Sequence, residues 1–450
     1  MKQEAANPPD GDTLHPSPLT PPAFLGIDFG TSGARAIAID GSGSILAEAR
    51  CVFYDQTVEA WRAALFDLIG QIPPYIRQAL VAIAINGTST TALLCDAGNR
   101  PLCPPLLYND ARAKVEAKQL AQIAPPGHPV LNASSSLAKL LWFQKQPEFP
   151  CARFFLHQAD WLASLLHGRP GLSDYHNSLK LGFDPETLCY PEWLLRLTVA
   201  PLLPRVLPPG GSIGPVTAEI AERFSIPRDC LIRAGTTDSI AAFIASGASS
   251  PGQAVTSLGS TLVLKLLSRK RVDAAQYGIY SHRIGDLWLA GGASNSGGAV
   301  LRSFFSDARL GELSARIHPE TDSGLDYYPL LKPGERFPIN DPELEPRLAP
   351  RPQDDALFLL GLLEGIARIE AQGYRLLQEL GATPLESLLT AGGGAINPAW
   401  TAMRARFLGV PVQPSPHVEA AYGTALLAAR GENLLCYEKL PKQAQAENNN

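Results

Sequence analysis

Residues 23–50 read AFLGIDFGTSGARAIAIDGSGSILAEAR. Ala23 to Ile27 is a short apolar run of the kind that forms a buried strand. Asp28-Phe29-Gly30-Thr31-Ser32-Gly33 is a cluster of turn formers, and Ala34 to Asp40 resumes a strand pattern. Gly41-Ser42-Gly43 turns the chain again, and Ser44 to Arg50 makes a third strand. Two tight glycine turns between three short strands predict an antiparallel meander. The first turn also carries chemistry. Its glycines let backbone N–H groups, with the Thr31 and Ser32 hydroxyls, point at an anion. Asp28, at the end of the preceding strand, is suited to hold a magnesium ion beside phosphate, directly or through water. No GxxxxGK[ST] pattern occurs in this loop, so it is not a Walker loop. A plain hairpin turn with a capping aspartate explains the same residues equally well.

The second half of the chain contains an echo. Residues 252–265, GQAVTSLGSTLVLK, read strand, Gly-Ser-Thr turn, strand. Ser257-Leu258-Gly259-Ser260 lies over Asp28-Phe29-Gly30-Thr31, and Gly285-Asp286 later turns the chain into the apolar run Leu287 to Ala290. This weak internal repeat predicts two related lobes, each offering a phosphate-facing hairpin to a cleft between them. Such a pair is a clamp for a nucleotide. Between the hairpins the pattern is mixed. Val81 to Ile85 is a buried strand ending at Asn86-Gly87-Thr88-Ser89-Thr90-Thr91, and Thr91 to Cys95 is another. Asp160 to Leu166 and Leu357 to Leu380 have apolar residues at helical spacing. Strands interleaved with helices give an α/β class. The Pro-rich piece Pro201 to Pro215 reads as a surface connection inside the first lobe.

Composition excludes several function classes. The 450 residues exceed one compact core and fit two domains or three. A net charge of −5, with no polybasic block, offers no field for nucleic acid or an anionic membrane. No apolar run is long enough for a membrane helix. Met1 to Pro22 lacks a secretory apolar core and carries Pro8, Pro9, Pro16, Pro18, Pro21 and Pro22 among polar residues, so it reads as a disordered tail. Lys442 to Asn450 reads the same way. Cys51, Cys95, Cys103, Cys151, Cys189, Cys230 and Cys436 form no CxxC pair, which fits a reduced, cytoplasmic compartment. The eight histidines show no HExxH or paired-ligand spacing, against a zinc site.

The motifs together resemble one family, the FGGY carbohydrate kinases, from about Ala23 to Arg430. Gly26 to Ser32 resembles the family's first phosphate motif. Tyr108-Asn109-Asp110-Ala111-Arg112 is similar to its W-x-D-x-R segment, with Tyr in place of Trp. Ser134 to Gln146, SSSLAKLLWFQKQ, resembles its first signature and is the most specific match. Gly235-Thr236-Thr237-Asp238-Ser239 resembles the segment with the catalytic aspartate, Ala391 to Asn397 the adenosine loop, and Glu419 to Ala425 the closing helix. The second signature is met only in part, around Gly361 to Ala367, and the chain is short for the family. The short chain and the Asn86-to-Thr90 loop are most similar to the cyanobacterial and plant D-ribulose (xylulose) kinase branch.

The resemblance implies an α/β protein of two actin-like (ribonuclease H-like) lobes with a nucleotide cleft between them. Residues 23–245 plus 418–440 would be the sugar-binding lobe and 246–417 the ATP-binding lobe. The hinge would lie at the crossing Phe243 to Ser249 and the return His417 to Ala420, and closure would exclude water. The implied reaction is ATP-dependent phosphorylation of a ketopentose, D-ribulose first and D-xylulose next, with Mg2+, in a monomer or homodimer. Asp238 would be the base that accepts the hydroxyl proton, although locally it reads as the cap of a helix Ser239 to Ser246. Asp28 would help place magnesium, and Thr31 with the Gly30 backbone would receive the transferred phosphate. Gly259, Ser260 and Thr261 would hold phosphates from the second lobe, or form an empty hairpin. Gly393, Gly394 and Asn397 would admit adenosine, or form a strand-to-helix turn. Gly291 to Asn295 lines the cleft or is a packing turn.

The sugar would meet Ser89, Asp238 and Ser239. Asp110 and Arg112 suit the same pocket or a surface ion pair. Trp142 and Trp161 read as core residues, and Lys139 as a solvated helix residue. Three other readings remain: a glycerol or polyol kinase on the same scaffold, an actin- or Hsp70-like ATPase, and an inactive sugar sensor. The match at Ser134 to Gln146 and the lack of a peptide-binding domain speak against the ATPase. The joint presence of Asp28, Thr31 and Asp238 speaks against the sensor.

Overall fold

The computed structural model describes residues 20–433. Residues 1–19 of the expected tail, Cys436, residues 434–440 of the expected first lobe, and Lys442 to Asn450 lie outside the described residues. The opening stretch forms the expected meander. Strands Ala23–Phe29, Gly33–Asp40 and Ile45–Val52 pair antiparallel in sequence order, turning at the two glycine clusters. On its other flank the first strand runs parallel to Leu80–Gly87, which pairs in parallel with Leu231–Arg233 and Thr236–Thr237. Ser212–Pro215 closes the edge antiparallel to Leu231–Arg233. The Pro-rich piece is therefore more than a surface connection. Prolines cannot donate to a ladder, and this chain uses them where they are tolerated, around short and outer strands.

The second half repeats this plan. Gln253–Leu258, Leu262–Ser268 and Leu287–Ser294 pair antiparallel in order, and His282–Ile284 extends the far edge. Ser387–Ala391 runs parallel to Gln253–Leu258 on its free flank, and Val412–Pro414 runs parallel to Ser387–Ala391. The faint Gly-Ser-Thr echo is the visible part of a shared topology.

Alternating apolar residues explain the layers. One face of the first sheet, with Leu25, Ile27 and Ile85, packs on Trp61, Leu65 and Leu68 of helix Val58–Gln71 and on Trp161 and Leu162 of helix Gln158–His167. The other face, with Ile37, Ile39 and Ala84, packs on helices Asp238–Ala245 and Ala420–Arg430. The second sheet lays Leu264 and Leu266 against the long helix Asp355–Glu379, with Trp400 and Met403 of helix Pro398–Leu408 in the same core. Helix Ala420–Arg430 thus returns to the first sheet. Its approach requires a glycine, because a Cβ on Gly26 would lie 2.1 Å from the Ala425 nitrogen. No helix of the described residues is long and apolar enough to cross a membrane.

Candidate active site

Asp28, Asn86 and Thr236 stand on one rung. Asp28 is in register with Asn86, and Asn86 with Thr236, on parallel strands. They lie at the carboxyl ends of these strands, the edge at which open α/β sheets bind ligands. Thr237 occupies the N-cap of helix Asp238–Ala245, so Asp238 is the first helical residue rather than the cap. Its Oδ1 accepts the Ser239 N–H at 2.7 Å. The Asn86 amide donates to Thr424 Oγ1 at 2.6 Å, tying the rung to the returning helix.

The two carboxyls are electrostatically unusual. Burial pushes the Asp238 carboxyl up, while the Ser239 N–H and the Lys265 and Lys180 ammonium groups pull it down. Asp28 is pushed up to about 7 by burial and then by the like charge of Asp238, against the pull of Arg35 and Asn86. Arg35 is directly opposite Asp28 in the antiparallel pair and also meets Glu419. Asp28 Oδ1 is buried without a hydrogen-bond partner. A desolvated carboxylate with an unused lone pair suits a small divalent cation.

The first turn is closed by the Gly30 N–H on the Gly33 carbonyl at 3.0 Å, leaving Thr31 and Ser32 exposed. The turn Gly259-Ser260-Thr261 sits at the matching position of the second lobe. The Gly298 and Ala299 N–H groups bond the Gly259 and Ser260 carbonyls at 2.9 and 3.1 Å. Arg302 donates to Ser260 Oγ at 3.2 Å. Beside it, Ser257 is in register with Ala391, so the turn at Gly392 to Gly394 is its neighbour. Gly393 faces open space, whereas a Cβ on Gly394 would lie 2.7 Å from Trp400. Asn397 caps helix Pro398–Leu408, accepting the Trp400 N–H at 3.0 Å and donating to Ser314 Oγ at 2.9 Å. Gly291 to Ser294 belongs to a sheet strand rather than a turn, and Gly292 lies against the Phe337 ring.

The loop after Leu80–Gly87 is tightly braced. Thr88 and Thr91 hydroxyls bond each other at 2.6 Å, and Gln158 Oε1 accepts the Thr88 N–H at 3.1 Å. Thr90 is buried with φ +67. Half-buried Ser89 remains at the tip, 3.5 Å from Lys180 Nζ. Lys139 is fully buried, which corrects its reading as a solvated residue. Its Nζ donates to the Thr90 and Leu107 carbonyls at 2.9 and 2.6 Å. Asp110 and Arg112 form an ion pair at 2.8 Å, and Arg112 stacks over Trp142, which is half-buried while Trp161 is buried.

The lobes meet beside this site. Lys265 donates to the Ser239 carbonyl, and His176 Nε2 lies 2.6 Å from the Arg283 carbonyl. Arg271 pairs with Asp184 and Glu186 at 3.0 and 3.1 Å. Arg35, Lys139, Lys265 and Arg302 were missed by sequence reading, because each acquires its setting from a neighbour distant in sequence. The strand alternation places Val263 and Lys265 on one face just after the turn Gly259-Ser260-Thr261, and that was a usable signal. A cavity of about 880 Å3 lies elsewhere, against helix Val58–Gln71. It contains none of the paired carboxyls and has no claim on the chemistry.

Two family models cover nearly all the described chain. The N-terminal domain of the FGGY family of carbohydrate kinases matches residues 23–245, and its C-terminal domain matches residues 254–432. The chain belongs to the FGGY family of carbohydrate kinases. It is an ATP-dependent sugar kinase with the two-lobed, actin-like fold of that family, and its small-molecule partners are a sugar and ATP. The kinase is similar to the xylulose kinase of Streptomyces coelicolor, 29% identical over 91% of this chain and 88% of that one. It is 24% identical to the xylulose kinase of Staphylococcus epidermidis, covering 90% and 87% of the two chains. A Brucella ovis structure described as a xyloylose kinase superposes with a TM-score of 0.80, at 25% identity, over 91% of this chain and 90% of that one.

Proposed function

We propose that this kinase phosphorylates a ketopentose, D-ribulose to D-ribulose 5-phosphate, with D-xylulose as the second reading. The observation that carries the acceptor site is the adjacency of two strand ends. Ser89 follows Leu80–Gly87, and Asp238 and Ser239 follow the neighbouring Thr236–Thr237. The Asn86-to-Thr90 loop favours D-ribulose. The names of the relatives favour D-xylulose, since several are xylulose kinases. A glycerol or polyol kinase differs only in the pocket and is separated by the same assay.

In this reading the sugar lies on the first lobe, residues 23–245 plus 418–440, and ATP on residues 246–417. Ser89 and Ser239 hold sugar hydroxyls. Asp238 accepts the proton of the attacking hydroxyl as its oxygen bonds the γ-phosphorus and the bond to the β-phosphate oxygen breaks, releasing ADP. Thr31 and the Gly30 backbone receive the transferred group, and Gly259, Ser260 and Thr261 hold the remaining phosphates. Gly393 gives adenosine a bare backbone to approach, with Gly394 and Asn397 shaping the turn. Asp28 would hold Mg2+, whose charge neutralises the phosphate oxygens during transfer. A reduced cytoplasmic setting belongs to the same reading, from the lack of a CxxC pair in the sequence. Assembly as a monomer or homodimer completes the proposal.

Coupled ADP release with Mg-ATP decides the matter. The panel is D-ribulose, D-xylulose, L-ribulose, glycerol and no sugar, beside Asp238→Ala. Sugar-dependent release that drops about a thousandfold in the variant is expected. Equal release with and without every sugar overturns the ketopentose reading.

A further inference from the structure

Lys139 has no evident partner for its charge. It belongs to helix Ser136–Phe143 and is fully buried. Among the described residues no carboxylate forms an ion pair with it; Asp110 attracts it from farther off, while Lys180 and Arg112 repel it. Burial pushes its ammonium down to about 7. Burying an ammonium without a counter-ion is costly. An apolar side chain of similar length would fill the space without that cost, so packing alone does not account for a lysine here.

What the lysine makes is a pair of converging bonds. Nζ donates to the Thr90 carbonyl at 2.9 Å and the Leu107 carbonyl at 2.6 Å, with Thr90 Oγ1 at 3.5 Å. Thr90 is β-branched and has φ +67, a conformation that such residues strongly disfavour. Strained residues persist where their surroundings over-determine them. The Thr88–Thr91 hydroxyl pair and Gln158 fix the base of the loop, and Lys139 fixes its far side. Of Thr88 to Thr91, only Ser89 is not buried.

We infer that Lys139 is a positioning residue for the sugar: it clamps the Thr90 carbonyl to the Leu107 carbonyl and so holds the left-handed turn that presents Ser89. The inference rests on the reading of Ser89 as a sugar contact. It also assigns the first-signature lysine a task, setting the acceptor loop from beneath rather than touching sugar or ATP.

Steady-state kinetics on the full chain test it, using the sugar that the ADP-release panel identifies. Lys139→Met is expected to raise the sugar KM about tenfold or more, with kcat within about threefold and the ATP KM unchanged. Glycine adopts φ +67 freely, so Thr90→Gly in the Lys139→Met background should recover most of the sugar KM. A sugar KM within about twofold of the parent in folded Lys139→Met overturns the inference. So does a loss shared equally by ATP and sugar that Thr90→Gly does not relieve. If Lys139→Met fails to fold, Lys139→Gln, which keeps a shorter donor, is compared with and without Thr90→Gly by the same criteria. Ser89→Ala separates the two levels: an unchanged sugar KM there overturns the Ser89 reading. A raised KM in Ser89→Ala beside an unaffected Lys139→Met overturns the clamp alone.

Discussion

Lys265 of the second lobe donates through Nζ to the carbonyl of Ser239 on the first lobe. This cross-cleft bond sets an ammonium beside Asp238, whose charged form it favours. The lysine itself is pushed down to about 8, by burial first, with Asp238 opposing and Lys180 adding. In its proposed role as proton acceptor Asp238 must be ionised, and Lys265 promotes that ionisation. Lys265→Met should therefore move the acid limb of kcat against pH upward by about one unit, while Lys265→Arg keeps it near the parent position. An unmoved limb in active Lys265→Met removes the lysine from this role.

The parts of the molecule legible in the sequence were those written locally. The meander from Ala23 to Val52 follows from alternation and two glycine turns, and Gln253 to Ser268 follows from the same pattern. Asp28 and Asp238 are marked by strand ends running into small residues. Charge placement was hidden. Lys139 in a helix looks solvated until Thr90 and Leu107 supply buried carbonyls from two other segments. Arg35 gains meaning only from strand register opposite Asp28, and Lys265 only from the other lobe. Pro201 to Pro215 misled because its prolines sit around short strands.

Asp28 gives a pH-dependent stability. Its carboxyl is pushed up from 3.8 to about 7 in the folded chain. Between these values the folded state holds a proton that the unfolded chain has released. Stability from this group is therefore greatest below about pH 4 and falls as pH rises through 7. Asp28→Asn cannot ionise. Calorimetry without divalent metal should find its Tm several degrees above the parent at pH 8 and nearly equal at pH 4. A parent-like Tm at pH 8 would show that the buried carboxylate carries no such penalty.

Gly26 sets the seat of the returning helix. An added Cβ would lie 2.1 Å from the Ala425 nitrogen and 2.2 Å from the Ala421 carbonyl, both backbone atoms that cannot swing aside. Gly26→Ala should lift helix Ala420–Arg430 off the strand that ends in Asp28. Overpacking of this kind costs about 3 kcal/mol or more. Denaturant unfolding is expected to record that loss, together with reduced kcat, since the Asn86–Thr424 bond depends on the same contact. A loss below about 1 kcal/mol would mean that the helix is free to shift without cost.

Arg404 holds the second lobe together by charge. It is fully buried, with two bonds to Glu370 at 2.6 Å each and one to Thr390 Oγ1 at 2.7 Å. Thr256 donates to the same Glu370 at 2.5 Å, and Tyr374 reaches Thr256 at 2.8 Å. The network ties strands Gln253–Leu258 and Ser387–Ala391 to helices Asp355–Glu379 and Pro398–Leu408, directly behind the two glycine turns proposed for ATP. Arg404→Ala strands the Glu370 carboxylate in the core, a loss of about 3–5 kcal/mol. The double variant Arg404→Met with Glu370→Leu removes both charges and should recover much of that stability, because it leaves no ion unpaired. Its ATP KM, however, should stay raised, since Thr256 loses Glu370 and Thr390 loses Arg404 behind the two turns. Recovery of stability and ATP KM together would show that the network stabilises the lobe without shaping the turns.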